Sequence, residues 1–341
     1  MARIKFIWLP VLVVLCFAVG LLSFQTFPGS SGAETGSVAV ITSQPEPASY
    51  ESFEVVSNDD YSGRQWAIPK TMVPQAWEVT SGEASVVIAV LDTGIDKEHE
   101  DLVGKVIAEV NFTGSPTAAD VYGHGTHVAG IIAAAANNGV GIAGMACDCR
   151  LMNVKVADDC GVFYNSVVAK GVKWAVEHGA NVINISLFDA EPSWNLEEAI
   201  DYAWSRGVVV IAASGNCIGT RVAYPAYYPN CLAVAATDSN DCLASWSGWG
   251  DWVDLAAPGV DIYSTLPGDQ YGSKSGTSMA AAHVSGLAGL LFALGSDKNG
   301  DGFINDEVRA AIESGCDVVD PVAARGRINA FNAVNKALIS K

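Results

Sequence analysis

Short apolar runs separated by helical stretches dominate the chain beyond about residue 60. Six runs rich in Val, Ile, Leu and Ala have the length of buried β-strands; they span residues 85–92, 151–158, 181–188, 208–216, 232–238 and 252–259. Between several of them, apolar residues recur with the helical period, at 127–137, 165–179 and 195–207. This alternation predicts an α/β fold, with a doubly wound, mostly parallel sheet and helices on both faces.

The first 33 residues are typical of a signal peptide or an N-terminal membrane anchor. Arg3 and Lys5 precede an uncharged apolar run from Phe6 to Leu22. The length of this run falls between a signal-peptide core and a minimal membrane span, and export with cleavage is the favoured interpretation. A linker rich in Ser, Gly, Pro and Glu follows at 34–57, and one domain is predicted at 58–341.

Charge and cysteine content limit the partners and the compartment. The formal net charge of −18 disfavours nucleic acid and anionic membranes, so we expect membrane contact only through an uncleaved N-terminal segment. We also expect a monomer. Beyond Cys16 the chain has seven cysteines, and none forms a C-x-x-C pair. An oxidising compartment would join most of them in disulfides and leave at least one free, with a connectivity that spacing does not give.

Polar residues at predicted strand ends indicate where chemistry takes place. Ligands of parallel sheets bind beyond the carboxyl ends of the strands, where Asp92, Ser186 and Asn216 are expected. Ser278 stands at the turn into the apolar stretch 279–291. It is either a helix cap or a nucleophile whose oxyanion product is stabilised by backbone N–H groups at the helix start.

Two histidines in "GHGTHVAG", His124 and His127, admit a metal pair or an acid–base group. A zinc site needs a third ligand that the local sequence lacks. An acid–base histidine needs partners from elsewhere in the chain.

The motifs "LDTGID", "GHGTHVAG", "AASGN" and "SGTSMAAAH", taken in this order, resemble the subtilisin-like serine proteases, or subtilases. The similarity covers about residues 58–341 and is strongest to the thermitase-like branch. It implies an exported serine endopeptidase that acts on proteins or peptides without a catalytic cofactor. In the implied roles, Ser278 attacks the scissile carbonyl and His124 transfers protons. Asp92 orients the His124 ring, and Asn216 donates a side-chain hydrogen bond to the oxyanion. His127 is expected to pack inside.

The resemblance also implies a substrate cleft between two extended edges, with a departure from the family pattern. The implied substrate-binding residues are Gly161, Phe163, Ser186, Leu187, Phe188, Ser214 and Gly215. The family commonly has glycine at the positions of Phe188 and, less securely, Phe163, so both rings either narrow the main specificity pocket or pack into apolar surroundings. Ala282 replaces a customary proline, which affects the first turns of the helix after Ser278.

Two structural calcium sites are predicted. The stretch 296–308 contains D-x-N-x-D-G and resembles an EF-hand loop, although it is also compatible with a plain turn. Its expected ligands are the side chains of Asp297, Asn299, Asp301 and Asp306 (or Glu307), with the Phe303 carbonyl. The subtilase resemblance implies another set: the side chains of Asp59, Asp101 and Asn138, with the carbonyls of Ala135, Val140 and Ile142. A Cys217–Cys231 disulfide is a further expectation.

Two alternatives remain at this point. An esterase of the G-x-S-x-G type places its serine ahead of its aspartate and histidine, which is not the order found here. A catalytically impaired, calcium-stabilised peptide-binding module would have the same fold and the same cleft.

Overall fold

The computed structural model describes residues 13–14, 57–295, 297–319 and 325–339. The predicted signal or anchor segment and the linker lie outside these residues, apart from Val13, Val14 and Ser57. Within the described ranges, no helix has the length and apolar character needed to cross a membrane.

Seven parallel strands form the central sheet, in the order β3-β4-β2-β6-β7-β8-β9. Their bounds are β2 Val87–Asp92, β3 Val106–Asn111, β4 Arg150–Lys155, β6 Val182–Ile185, β7 Val209–Ala213, β8 Cys231–Thr237 and β9 Leu255–Pro258. Smaller antiparallel pairs join β1 (Val13–Val14) to β5 (Val162–Phe163) and β10 (Ile262–Leu266) to β11 (Gln270–Lys274). The predicted mostly parallel sheet is therefore confirmed.

Helices cover the sheet on both faces. After a 3₁₀ turn at Ser62–Arg64, the helices are α1 Ala67–Lys70, α2 Val73–Trp77, α3 His124–Ala133, α4 Asn165–Glu177, α5 Trp194–Ser205, α6 Thr277–Phe292, α7 Asn305–Gly315 and α8 Ala330–Ile339. Alternate residues of β2 show the layering. Ile88 and Val90 pack in the core cluster that contains α3 and α6, whereas Ala89 and Leu91 pack in the cluster of α4 and α5.

Helix α6 is the central helix of one layer, because every residue from Thr277 to Phe292 is buried. Such a helix is apolar around its whole circumference, as expected for a core element rather than a surface helix. It runs without a break through Ala282, so the residue that replaces the customary proline occupies a regular helical position. Helix α6 therefore packs as one continuous core helix from Thr277 onwards.

The strand predicted at 208–216 ends earlier than the apolar pattern indicates. Strand β7 stops at Ala213, and the Ser214 N–H still donates to the Val234 carbonyl at 3.0 Å. Gly215 then turns the chain with φ of +91°, a conformation that favours glycine. Asn216 consequently lies three residues beyond the strand rather than at its end.

Candidate active site

Asp92 and His124 form a buried pair at the carboxyl end of β2. Asp92 is the last residue of that strand and His124 the first of α3, and neither side chain is more than 1% exposed. The His124 Nδ1 lies 2.7 Å from Asp92 Oδ1, which also accepts the Thr93 N–H at 2.8 Å. A carboxylate at Nδ1 favours the tautomer in which Nε2 can receive a proton.

Ser278 is fixed to the same edge of the sheet by a reciprocal pair of hydrogen bonds with Ser186. The Ser278 Oγ donates to the Ser186 carbonyl, and the Ser186 Oγ donates to the Ser278 carbonyl, each at 3.1 Å. Ser186 directly follows β6, which pairs with β2 through Leu91 and Ile185. The helix-cap alternative is wrong, because Gly276 occupies the cap position without a side-chain hydrogen bond and Ser278 lies inside the helix.

Asn216 is oriented by the residue that precedes Ser278. Its Oδ1 accepts the Thr277 N–H at 3.1 Å and the Thr277 hydroxyl at 3.0 Å. Its Nδ2 is therefore turned the other way, and lies 3.5 Å from where a Cβ on Gly276 would sit. The amide donor thus lies beside the amino end of α6, where backbone N–H groups and the helix dipole favour negative charge.

A second buried carboxylate, Asp120, organises this site and was missed by sequence reasoning. Asp120 Oδ1 accepts from the Thr93 hydroxyl and the Gly123 N–H, and Oδ2 accepts from the N–H and the hydroxyl of Thr126, at 2.7–2.9 Å. Asp120 therefore ties the loop after β2 to the first turn of α3. Its position four residues before His124, ahead of a helix start, is a capping signal that could have identified it.

Lys155 supports the same loop from the neighbouring strand. It is the last residue of β4, is fully buried, and its Nζ donates to the carbonyls of Thr93 and Ala119. Its charge is balanced by Asp159, 2.9 Å away. The loop after Asp92 is consequently held by both a buried cation and a buried anion.

His127 packs inside, as expected, and has a partner different from that of His124. It is fully buried, and its Nε2 donates to the Gly272 carbonyl at 3.0 Å. Burial, with help from the Lys274 charge, lowers the pKa of His127 to about 3, and burial likewise lowers the pKa of His283 to about 4. Both rings are therefore neutral at physiological pH.

The predicted substrate-binding residues differ in how deeply their side chains are buried and in what they contact. Leu187 and Phe163 are buried in the core cluster of α4 and α5, and the backbone of Phe163 pairs with Val13 of β1. The Phe163 ring takes the apolar alternative and does not narrow the cleft. Gly161 lies in a turn with φ of +77°. The Ser214 hydroxyl donates a hydrogen bond to the Gly248 carbonyl at 3.0 Å. Phe188 is only part-buried and lies against Gly215.

The residues of the first predicted calcium set are brought together. Asp59 and Asp101 are buried, and both accept hydrogen bonds from Asn138, at 2.9 Å each. The Ile142 N–H donates to Asp101 at 2.8 Å, so the loop that carries Ala135, Val140 and Ile142 wraps around the two carboxylates. Burial raises the pKa of Asp101. In the described part of the chain neither carboxylate has a salt-bridge partner. Two buried carboxylates without a salt-bridge partner are ligands of the type that a hard cation prefers, and in this structure their oxygens accept hydrogen bonds from N–H and O–H groups instead.

The EF-hand-like loop is less completely assembled. The Asn299 amide donates to Asp301 and Asp306, and Asp297 accepts the N–H groups of Gly300 and Gly302. Burial and the neighbouring Glu307 raise the pKa of Asp306. Among the described residues, no three His, Cys, Asp or Glu side chains are arranged to hold a metal, so neither predicted calcium set presents three such side chains as a ready cage.

The cysteines do not follow the disulfide prediction. All seven described cysteines are free thiols, and the expected Cys217–Cys231 disulfide is absent from this part of the chain. Cys231 pairs with Val210 near the amino end of the sheet, whereas Cys217 lies beyond the carboxyl end of β7. The two residues flank opposite ends of adjacent strands, which prevents the close approach that a disulfide needs.

Comparisons with known proteins agree with this geometry. Residues 83–323 match the model of the Subtilase family. Thermitase of Thermoactinomyces vulgaris is 44% identical over 282 residues, which are 81% of this chain and 98% of that protein. A thermophilic serine proteinase of Bacillus sp. strain AK1 is 45% identical over 80% of this chain and 68% of its own.

The fold comparison points the same way. A solved protease structure from Pseudoalteromonas arctica superposes with a TM-score of 0.75 at 29% identity, covering 83% of this chain and 99% of that one. The family match, the relatives and the fold together establish that this chain belongs to the subtilase family and is a serine endopeptidase of the subtilisin type.

Proposed function

We propose that this endopeptidase hydrolyses peptide bonds through Asp92, His124 and Ser278, with Asn216 in the oxyanion hole. The supporting observation is that these residues lie at the carboxyl ends of neighbouring strands. The Asp92–His124 pair lies at the end of β2, and Ser278 is bonded to the residue that follows the adjacent β6. This arrangement at the carboxyl ends of adjacent strands, of residues up to 186 positions apart in the sequence, supports a shared catalytic role.

In the proposed mechanism, the Ser278 Oγ leaves its resting hydrogen bond to Ser186 and attacks the scissile carbonyl carbon. His124 Nε2 takes the hydroxyl proton and then gives it to the leaving amine as the C–N bond breaks. Water hydrolyses the acyl-enzyme by the same proton transfers. Asp92 keeps the imidazole oriented and stabilises its cationic form, while the Asn216 amide and the Ser278 N–H donate to the oxyanion.

The proposal extends to location and partners. The apolar N-terminal run after Arg3 and Lys5 supports export, with cleavage as the favoured fate of residues 1–33. The protein then acts as a secreted monomer on protein or peptide substrates. The strongly acidic composition supports the absence of nucleic-acid partners.

Calcium is proposed as a structural ion. Asp59, Asp101 and Asn138 would hold it with carbonyl oxygens of the loop 135–142, where it would neutralise two buried carboxylates. The loop at 297–307 is proposed as a second site. There the Asp306 and Glu307 side chains lie side by side, and Asp306 Oδ1 and Glu307 Oε2 are shielded from water. Binding at that loop requires the aspartates to rearrange.

Active-site labelling tests the catalytic proposal directly. A fluorophosphonate probe is expected to label the native protein stoichiometrically at Ser278, and labelling and casein hydrolysis are expected to disappear together in Ser278→Ala. Ser239→Ala, in an exposed loop, is the matched control. A folded native protein that binds peptides but resists the probe would support the impaired binding module instead.

A further inference from the structure

Two apolar side chains cover Gly215 next to the proposed catalytic residues. A Cβ built on Gly215 would lie 2.8 Å from Ile218 Cδ1 and 3.2 Å from Phe188 Cδ2. Both contacts are tighter than ordinary van der Waals packing allows, so Phe188 and Ile218 already occupy the space above this glycine. The ring belongs to the segment after β6 and the glycine to the segment after β7, so Phe188 spans the gap between two neighbouring strands.

In the proposed mechanism, the substrate side chain before the scissile bond lies at this gap. During attack, the carbonyl carbon of that substrate residue lies at Ser278 Oγ and its oxygen near Asn216 Nδ2. On one side Ser278 is hydrogen-bonded to Ser186, and on the other Asn216 is hydrogen-bonded to Thr277. The substrate side chain therefore enters between segments 186–188 and 214–216, which Phe188 bridges.

The backbone on both sides of Phe188 is held in place. Ser186 makes its reciprocal pair with Ser278, and Asp189 exchanges backbone hydrogen bonds with Tyr224, at 2.9 and 2.8 Å. On the Gly215 side, the carbonyl of Gly215 accepts the Gly248 N–H at 2.7 Å. Neither segment can move apart without losing these bonds, so a large substrate side chain would have to displace the ring itself.

We propose that Phe188, supported by Ile218, fills the pocket for the residue before the scissile bond. The enzyme then cleaves after glycine, alanine or serine and discriminates against aromatic and long aliphatic side chains. This inference rests on the proposed function, because Ser278 and Asn216 define where the pocket lies.

Peptide kinetics test the inference. Quenched fluorescent peptides that differ only in the residue before the cleaved bond, as Ala, Leu or Phe, are compared by kcat/KM. The native enzyme is expected to favour Ala over Phe by at least about tenfold, and Phe188→Gly to raise the Phe and Leu values by about 10- to 100-fold with little change for Ala. Native preference for Phe or Leu, or an unchanged profile in folded Phe188→Gly, would overturn the inference.

A matched control and a second variant keep the test decisive. Tyr202→Ala removes a similarly part-buried ring near the end of α5, before β7 and hence at the opposite end of that strand, so its profile should equal the native one. Ile218→Ala, expected to give a smaller gain for Leu, is used if Phe188→Gly does not fold, and the absence of a gain counts against the inference. Fluorophosphonate titration of each preparation separates the two hypotheses. Labelled enzyme with the wrong profile contradicts only the pocket, whereas unlabelled native protein contradicts the proposed mechanism.

Discussion

At the scale of single residues, the proposed site depends on side chains that a neighbour orients through one polar atom, which leaves the other polar atom for the reaction. The Oδ1 of Asn216 is engaged by Thr277, which leaves its amide N–H₂ group pointing towards the start of α6. The Nδ1 of His124 is engaged by Asp92. Preorganisation of this kind lets a donor or base act without reorienting during the reaction.

Asn216→Ala is therefore expected to lower kcat by about 10²- to 10³-fold with little change in KM, since the lost donor acts on the oxyanion and not on the bound substrate. Steady-state kinetics on one peptide, with unfolding curves of both proteins, measure this. Asn240→Ala, in an exposed loop, is the control. An equal loss in the control, or a change confined to KM, would show that Asn216 has another role.

At the scale of elements, the site is a junction between strand ends and helix starts. Helix α3 begins at His124 and α6 begins one residue before Ser278. Asp120 joins the first turn of α3 to the loop after β2 through four hydrogen bonds. This carboxylate therefore links the segment after Asp92 to the helix turn that carries His124.

Asp120→Asn should lower both stability and activity, because an amide keeps one acceptor oxygen and turns its N–H groups towards the two donors that the other oxygen served. A loss of about 2–3 kcal/mol in the free energy of unfolding is expected, together with a fall in kcat and an almost unchanged KM. Urea unfolding and peptide kinetics measure the two effects. Asp251→Asn, at an exposed position, should change neither, and a D120N enzyme with native kcat would remove the positioning role.

At the scale of the whole molecule, burial of ionisable groups makes stability depend on ions and pH. Asp59 and Asp101 are far apart in the sequence. Both are buried, and both accept a hydrogen bond from Asn138. His127 and His283 are buried as neutral rings in the layer that contains α3 and α6. Neither arrangement exists in the unfolded chain.

Calcium removal is expected to lower the melting temperature. An ion that binds only the folded state at 100-fold excess over its Kd contributes about 2.7 kcal/mol. Asp59→Asn and Asp297→Asn separate the two proposed sites, because each variant should lose only its own share of the chelator effect. A melting temperature that EDTA leaves unchanged in the native protein would rule out both sites.

Stability is also expected to fall as pH is lowered from about 6.5 towards 4. Unfolded histidines titrate near about 6.5, whereas the folded pKa values are about 3 for His127 and about 4 for His283. In this window the unfolded chain binds more protons, so each histidine contributes a slope of up to about 1.4 kcal/mol per pH unit. Urea unfolding should show a shallower slope in His283→Gln than in the exposed control His178→Gln. Identical slopes would mean that His283 is not buried as a neutral ring.

The sequence by itself determined the class of fold, the layering and the identity of the catalytic candidates. Apolar runs report burial on both faces of a strand, and short motifs place Asp92, His124 and Ser278 next to strand ends or helix starts. Strand β3 escaped prediction because this edge strand alternates between partly buried and exposed residues, and lacks a continuous apolar run.

Only the tertiary structure decided which contacts these residues make. The reciprocal bonds of Ser278 and Ser186, the four acceptor bonds of Asp120, and the placement of Phe188 over Gly215 join segments that are distant in the chain. Packing separated Phe163, in the core cluster of α4 and α5, from Phe188, part-buried against Gly215, although the resemblance implies glycine at Phe188 and, less securely, at Phe163. The physical reason is that local sequence specifies which elements form, whereas the packing of those elements specifies which side chains face each other.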